Sequence, residues 1–428
     1  MRILLISYYF PPYNTVGAIR PGKFAKYLHL NGHAVEVISA ANPAYVKGLQ
    51  LEIPPEFVHE VKSWSINAPI YWLLGGKGKV AQEGFHGGKA GSGWRKRLGL
   101  WYKTLLHWPD AESNWVRSAI DKGLELFKQR GFDLIYVSAP SFSALRVGHR
   151  LSARTGTPWV AEFRDLWSAN HNYPHPAWRR AIDRAWEASL LRTASALVTV
   201  SLPLAQELQR FSKPVWEIRN GYDPDDLSGI SVRNTPSDIL NIVYTGSVYP
   251  EHHDLNTFCA GVTEFVRKGG KIHVDVAGRN VAALRTMAHQ FGIESHFTFR
   301  PTVDRHEALT MQRSADVLLM FAWNDGSAGV YTTKLFEYAA ARRPILAVGP
   351  DCDVVQWVSQ AQIGSSTATP EGVVSLLAGW TEQKRISGTL NTSPSPEHDF
   401  TRNAQFSKLI PLLTSLIQDG HGKPAIQQ

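Results

Sequence analysis

Along this chain, short apolar runs alternate with longer stretches in which apolar residues recur every three to four positions. Ile3 to Ser7, Ala34 to Ser39, Asp133 to Ser138 and Pro158 to Phe163 are too short for helices and almost continuously apolar. They read as strands buried on both faces of a parallel sheet. Between them, Ala18 to Leu30 has helical spacing and closes on Asn31-Gly32, a good helix stop. Ser118 to Gln129, Ser143 to Ala153 and Trp178 to Thr193 follow the same rule. The strand Ala196 to Ser201, with a helix from Pro203 to Arg210 behind it, completes this series. It ends in the turn-rich Asn220-Gly221-Tyr222-Asp223-Pro224.

A second series starts at Leu240 to Gly246. Strands are expected at Ile272 to Ala277, His296 to Phe299, Asp316 to Phe321 and Ile345 to Val348. Helices are expected at Leu255 to Val266, Ala282 to Phe291, Arg305 to Ser314, Thr333 to Ala341 and Glu371 to Trp380. A Ser, Thr, Asn and Pro stretch then leads to a last helix, Ala404 to Gln418, and a polar tail that reads as mobile. The expected architecture is α/β: two doubly wound Rossmann-like domains, residues 1–222 and 223–395, with a helix and tail over 396–428. Such sheets bind ligands outside the carboxyl ends of their strands. Two of them facing across a cleft would suit two substrates, which points to group transfer.

Composition narrows this frame. Apolar residues make up 43% of the 428, which is a globular balance. Two cysteines, Cys259 and Cys352, suggest neither a disulfide framework nor a zinc site and fit a reducing, cytoplasmic compartment. The N-terminal apolar run stops at Tyr8-Tyr9-Phe10-Pro11-Pro12 without a cleavage site, so it reads as a strand rather than a leader. No stretch approaches the length of a spanning helix.

Lys and Arg exceed Asp and Glu by 45 to 37, a net charge of +8 that favours anionic partners without choosing among them. Part of this charge lies in a Gly-rich insertion, residues 74–104, where Lys77, Lys79, Lys89, Arg95, Lys96, Arg97 and Lys103 accompany Trp94 and Trp101. Two readings stand: a solvated, flexible insertion, or a surface for an anionic membrane.

The segment Asp325 to Tyr338 carries the most chemistry. Gly326 and Gly329 let backbone approach a ligand, and the loop opens into a helix whose first N–H groups attract anions. Thr332 or Thr333 can cap the helix or reach a phosphate oxygen. Lys334 and Glu337 share a face at i, i+3. A lysine for phosphate beside a carboxylate for ribose hydroxyls suits a nucleotide diphosphate; the alternative is a surface ion pair behind a flexible loop.

These residues are part of a larger pattern. The order Ile3 to Gly17, Arg164-Asp165-Leu166-Trp167, Val200-Ser201, Asn220-Gly221-Tyr222-Asp223, Tyr244-Thr245-Gly246, Val276-Ala277-Gly278-Arg279, Ala315-Asp316-Val317 and Lys334-Leu335-Phe336-Glu337-Tyr338 resembles the retaining glycosyltransferases of family 4. The resemblance implies the GT-B fold and a sugar transferred with retention from a nucleotide-diphosphate sugar, with no cofactor and no metal. It implies that Glu337 holds the ribose, that Gly17 and Gly246 bring backbone to the donor, and that Asp165 faces the acceptor. Two departures are visible. Gly329 stands where the family's first signature Glu would be, and Ser247 with His252-His253 replaces a basic pair after Gly246. Arg279 and Lys334 are the candidates to supply the missing charge. Asp165 and Lys334 are therefore the catalytic candidates. Gly17, Gly246, Arg279, Gly329, Thr332, Thr333 and Glu337 are the donor-binding ones.

The partners this implies are a nucleotide sugar and a glycan or lipid-linked acceptor of surface-polysaccharide assembly, not nucleic acid. The place implied is the cytoplasm or the inner face of the membrane. Rival readings are a nucleotide-sugar epimerase of the same fold and a metal-dependent transferase using Asp351 and Asp353. A dehydrogenase is disfavoured, because no Gly-X-Gly-X-X-Gly follows the first strand.

Overall fold

In the computed structural model, residues 1–41, 47–63, 101–102, 104–170, 173–230, 238–323, 333–393 and 399–421 are described. The chain divides into two compact units, Met1–Arg219 with Phe406–Gln428, and Asn220–Gln405. The first boundary falls three residues before the expected 222. The larger difference concerns the C-terminus, which does not stand apart: residues from Phe406 onward belong to the first unit.

The first unit is built on strands β1 (Arg2–Ile6), β2 (Ala34–Ala41), β3 (Val58–Lys62), β4 (Leu134–Ala139), β5 (Trp159–Phe163), β6 (Ala196–Thr199) and β7 (Val215–Glu217). They form one sheet in the order β3-β2-β1-β4-β5-β6-β7, with every pairing parallel. Its helices are α1 (Val16–Leu30), α2 (Val116–Gln129), α3 (Ser143–Thr155), α4 (Ala177–Leu191) and α5 (Leu202–Leu208).

Side chains alternate between the two faces of a strand, and the cores divide accordingly. Ile3, Leu5, Val35, Val37, Leu134 and Tyr136 join Phe24 and Leu28 of α1 in one cluster. Leu4, Ile6, Ile38, Ile135 and Val137 join Ala119 and Leu126 of α2 and Leu145, Val147 and Leu151 of α3 in the other. This is why these strands are apolar throughout. The last helix of the chain, α12 (Arg402–His421), contributes Phe406, Leu409 and Leu413 to the first cluster. Phe406 lies 5.0 Å from Phe24, ring to ring.

The second unit has strands β8 (Leu240–Thr245), β9 (Ile272–Ala277), β10 (Phe297–Arg300), β11 (Val317–Phe321), β12 (Ile345–Val348) and β13 (Gly364–Thr367). Its sheet is also wholly parallel, in the order β10-β9-β8-β11-β12-β13. Its helices are α6 (Leu255–Arg267), α7 (Val281–Gln290), α8 (Arg305–Ser314), α9 (Thr333–Ala341), α10 (Asp353–Gln360) and α11 (Pro370–Ser387). Ile242, Tyr244, Val274, Val276 and Leu319 pack with α6, α7 and α11 on one face. Val243, Leu318, Met320 and Ile345 pack with α9 and α10 on the other.

In each sheet the strand order reverses beside the first strand of the series, between β1 and β4 and between β8 and β11. A ligand crevice is expected at these points, outside the carboxyl ends.

Candidate functional site

In the second unit the carboxyl ends of β8 and β9 are joined backbone to backbone. The Gly246 N–H donates to the Ala277 carbonyl at 2.8 Å, and the Val248 N–H to the Arg279 carbonyl at 3.0 Å. Gly246 and Gly278 have φ of +134° and +147°. A Cβ on Gly278 would lie 1.9 Å from the Gly246 carbonyl oxygen, and one on Gly246 would lie 2.7 Å from Lys334 Nζ. Only glycine fits this turn at both places. Arg279, exposed beyond the turn, donates from Nε to Ser247 Oγ at 3.1 Å.

Helix α9 is docked beneath this turn by hydrogen bonds. The Thr245 N–H donates to Tyr338 Oη at 3.0 Å, while Gln312 Nε2 of α8 donates to Thr245 Oγ1 at 2.9 Å. The helix thereby carries Lys334 under Gly246, with Nζ 4.0 Å from the centre of the Tyr244 ring. Burial pushes the Lys334 ammonium down to about 7, against the opposing pull of Glu337.

Glu337, one turn on, is held from α8: its Oε1 pairs with Arg305 Nη1 at 2.5 Å, and Arg305 Nη2 reaches Asp226 at 3.0 Å. Burial opposes the charge on Arg305, but Glu337 and Asp226 outweigh it and its pKa is raised. Thr333 is the first residue of α9. Gly329 and Thr332 lie outside the described residues.

The expected basic pair after Gly246 is replaced by an aromatic group. His252 stacks on Trp323 with ring centres 4.6 Å apart, and His253 stacks on Phe321 at 5.2 Å. The Tyr249 N–H donates to His253 Nδ1 at 3.2 Å. Burial first, then Lys334 and His252, push His253 down to about 3, so it is neutral at ordinary pH. The cation near Gly246 is thus Lys334, with Arg279 on the rim.

In the first unit, Gly17 lies in the first turn of α1 and Asp165 is exposed just beyond β5. Arg164 draws these parts together: its Nη1 donates to the Gly17 carbonyl, and its Nη2 to the Pro140 carbonyl after β4 at 2.5 Å. Burial lowers the Arg164 pKa, against the opposing charges of Glu162 and Asp165.

Sequence reasoning missed Glu112. Tyr9 Oη donates to its carboxylate at 3.3 Å, and burial followed by the charge of Asp110 pushes it up to about 8. No periodic element contains Glu112, and only the spatial return of Tyr9 reveals it. Neighbouring hydrogen bonds engage Asp351, weighed as a metal ligand with Asp353, and also Asp223. Asp223 accepts the Asp225 N–H and caps a short turn of helix, and Asp351 accepts from Gln356 Nε2 at 3.3 Å at the start of α10.

Two doubly wound parallel sheets, each with its ligand end marked by tight turns and charged side chains, make this a chain of the glycosyltransferase-type GT-B fold. Residues 85–226 match the model of Glycosyltransferase Family 4, the family whose motifs the chain resembles.

Solved structures agree on the fold. A glycosyltransferase from Rickettsia africae ESF-5 superposes with a TM-score of 0.59 at 10% identity, over 98% of this chain and 99% of that one. A lipopolysaccharide outer core galactosyltransferase in its apo form gives 0.55 at 11% identity, over 96% and 99%. A putative UDP-N-acetylglucosamine 2-epimerase from Listeria monocytogenes gives 0.54 at 10% identity, over 98% of each chain. At these identities the likeness is one of fold. No curated protein sequence matches the chain.

Proposed function

We propose that the protein transfers a glycosyl group from a nucleotide-diphosphate sugar to a glycan or lipid-linked acceptor, with retention of configuration and without a metal ion. The observation that carries this reading is the seat of Lys334: a half-buried ammonium beneath Gly246, at the carboxyl end of β8, on the helix that also presents Glu337. A diphosphate at that turn meets the Lys334 cation, with Arg279 at the rim. A ribose one helical turn away meets the Glu337 carboxylate, oriented by Arg305.

In this reading the leaving diphosphate is the group whose developing charge must be stabilised. A cation in a dry site interacts more strongly than one in water. Asp165, exposed just beyond β5, orients the acceptor. Cytoplasmic residence, at the inner face of the membrane, and a part in surface-polysaccharide assembly belong to the same proposal.

The test is binding of uridine, adenosine and guanosine diphosphates to the wild type and to Glu337→Ala. A lost charged hydrogen bond contributes roughly 1.5–3 kcal/mol, so affinity for the preferred nucleotide should fall about 10- to 100-fold. The circular-dichroism spectrum should not change. Equal affinity in the two proteins would remove the reading. The epimerase likeness is separated by incubating the nucleotide sugar alone, since an epimerase changes it without an acceptor. Transfer that survives EDTA supports the metal-free mechanism.

A further inference from the structure

Eleven large hydrophobic side chains are exposed among the described residues, and five of them fall on two segments. Trp101, Leu105 and Leu106 precede α2, and Trp178 and Ile182 lie on α4; each is between 43% and 57% exposed. Such clustering is unlike the single exposed apolar residues normal for a protein surface.

The two segments are fastened to each other. Arg179 of α4 is fully buried and donates from Nη1 to the Thr104 carbonyl at 2.5 Å and from Nη2 to the His107 carbonyl at 2.7 Å. Its Nε pairs with Asp183 at 2.9 Å, and its guanidinium stacks 3.7 Å over Trp108. His175 Nδ1 and Thr104 Oγ1, 3.0 Å apart, add a second link. The five apolar side chains therefore stand on a rigid base.

The charge on α4 is sorted by face. Its two acids, Asp183 and Glu187, are 1% and 0% exposed, and both are paired inward. Its exposed charges are Arg180 and Arg184. At 3.6 residues per turn, Trp178 and Ile182 take one flank of the exposed face and Arg180 and Arg184 the other. The exposed Ala181, Ala185 and Ala188 form a low strip between them. Beside the arginine flank is a groove of about 610 Å³ lined by Arg180, Arg184 and Arg210, with Glu207 at its edge.

We propose that α4 together with Trp101, Leu105 and Leu106 forms a membrane-docking face that takes anionic phospholipid. Trp101, Leu105, Leu106, Trp178 and Ile182 enter the boundary between headgroups and acyl chains. Arg180 and Arg184 meet the headgroup phosphates along the groove. Indole and aliphatic side chains beside arginines suit that interface. The exposed charges of α4, both positive, complement an anionic leaflet, and Arg210 offsets Glu207 in the groove. The sequence just before Trp101 carries charge of the same sign, with Lys77, Lys79, Lys89, Arg95, Lys96 and Arg97. This surface deepens the proposal of a lipid-linked acceptor, and it rests on that proposal only for its purpose.

The experiment is co-sedimentation of the full chain with vesicles of phosphatidylcholine, with and without phosphatidylglycerol, in the absence of any nucleotide sugar. Failure here is thus separate from failure of the donor-site reading. Binding is expected to require phosphatidylglycerol and to weaken as salt is raised. Each basic residue near an anionic surface contributes about 1 kcal/mol, so Arg180→Glu with Arg184→Glu should weaken binding by roughly tenfold or more. Trp178→Ser with Ile182→Ser should weaken binding to the phosphatidylglycerol vesicles as well. Both variants should keep wild-type nucleotide affinity and circular dichroism, which excludes misfolding. Equal binding to neutral vesicles, or wild-type vesicle binding by either variant, would overturn the proposal. So would a concentration-dependent dimer abolished by Trp178→Ser with Ile182→Ser.

Discussion

At Lys334 two features of the surroundings converge on one ammonium. The surrounding protein half-buries it, and the Tyr244 face 4.0 Å away offers a weak substitute for water. With its pKa brought down to about 7, the empty site is largely neutral at pH 8. A bound diphosphate favours the charged form and draws the pKa back up. Binding at pH 8 should therefore take up protons, and affinity should fall as pH rises above 7. Calorimetry in two buffers of different ionisation enthalpy measures this uptake, and Lys334→Arg should abolish it. The sequence placed Lys334 and Glu337 on one helix correctly, because i, i+3 spacing is local. It could not place Arg305, which arrives from 32 residues away to pair with Glu337. Nor could it find Glu112, whose perturbed carboxyl depends on Tyr9, 103 residues distant.

Among the elements, the β8 and β9 turns depend on the absence of side chains. Gly278→Ala would set a Cβ into the Gly246 carbonyl and force a residue with a side chain to φ near +147°. We expect a loss of about 3 kcal/mol or more in urea unfolding of the second unit, and weaker nucleotide binding because Gly246 must move. Central strands were legible in the sequence, since β1, β4, β8 and β11 are apolar on both faces and have little else they can form. Three of the four edge strands were not. β3 reads Val-His-Glu-Val-Lys, β7 is only three residues, and β13 is Gly-Ser-Ser-Thr. Each is held by pairing with a neighbour whose position the sequence does not announce.

Across the whole molecule, two doubly wound α/β units were readable from two series of alternating elements, and the family resemblance implied the GT-B fold. The return of the chain at Phe406 was not readable. The periodicity of α12 shows that it has an apolar side, but not which sheet that side covers. Phe406, Leu409 and Leu413 are 1% exposed or less, and all three lie against the first unit. Phe406→Ala should destabilise that unit by about 3–5 kcal/mol, and denaturant unfolding should show the earlier transition there. A shift confined to the second unit would contradict this placement.

That return also fixes an order of events during synthesis. Residues 220–405 form a continuous unit and can close their own core as they leave the ribosome. The first unit, although translated earlier, stays unfinished until residues 406–421 emerge. Until then the faces of Phe24 and Tyr27 that meet Phe406 wait uncovered through the translation of the whole second unit. The half of the protein made first is therefore the half completed last. It is also the half with more reason to depend on a chaperone.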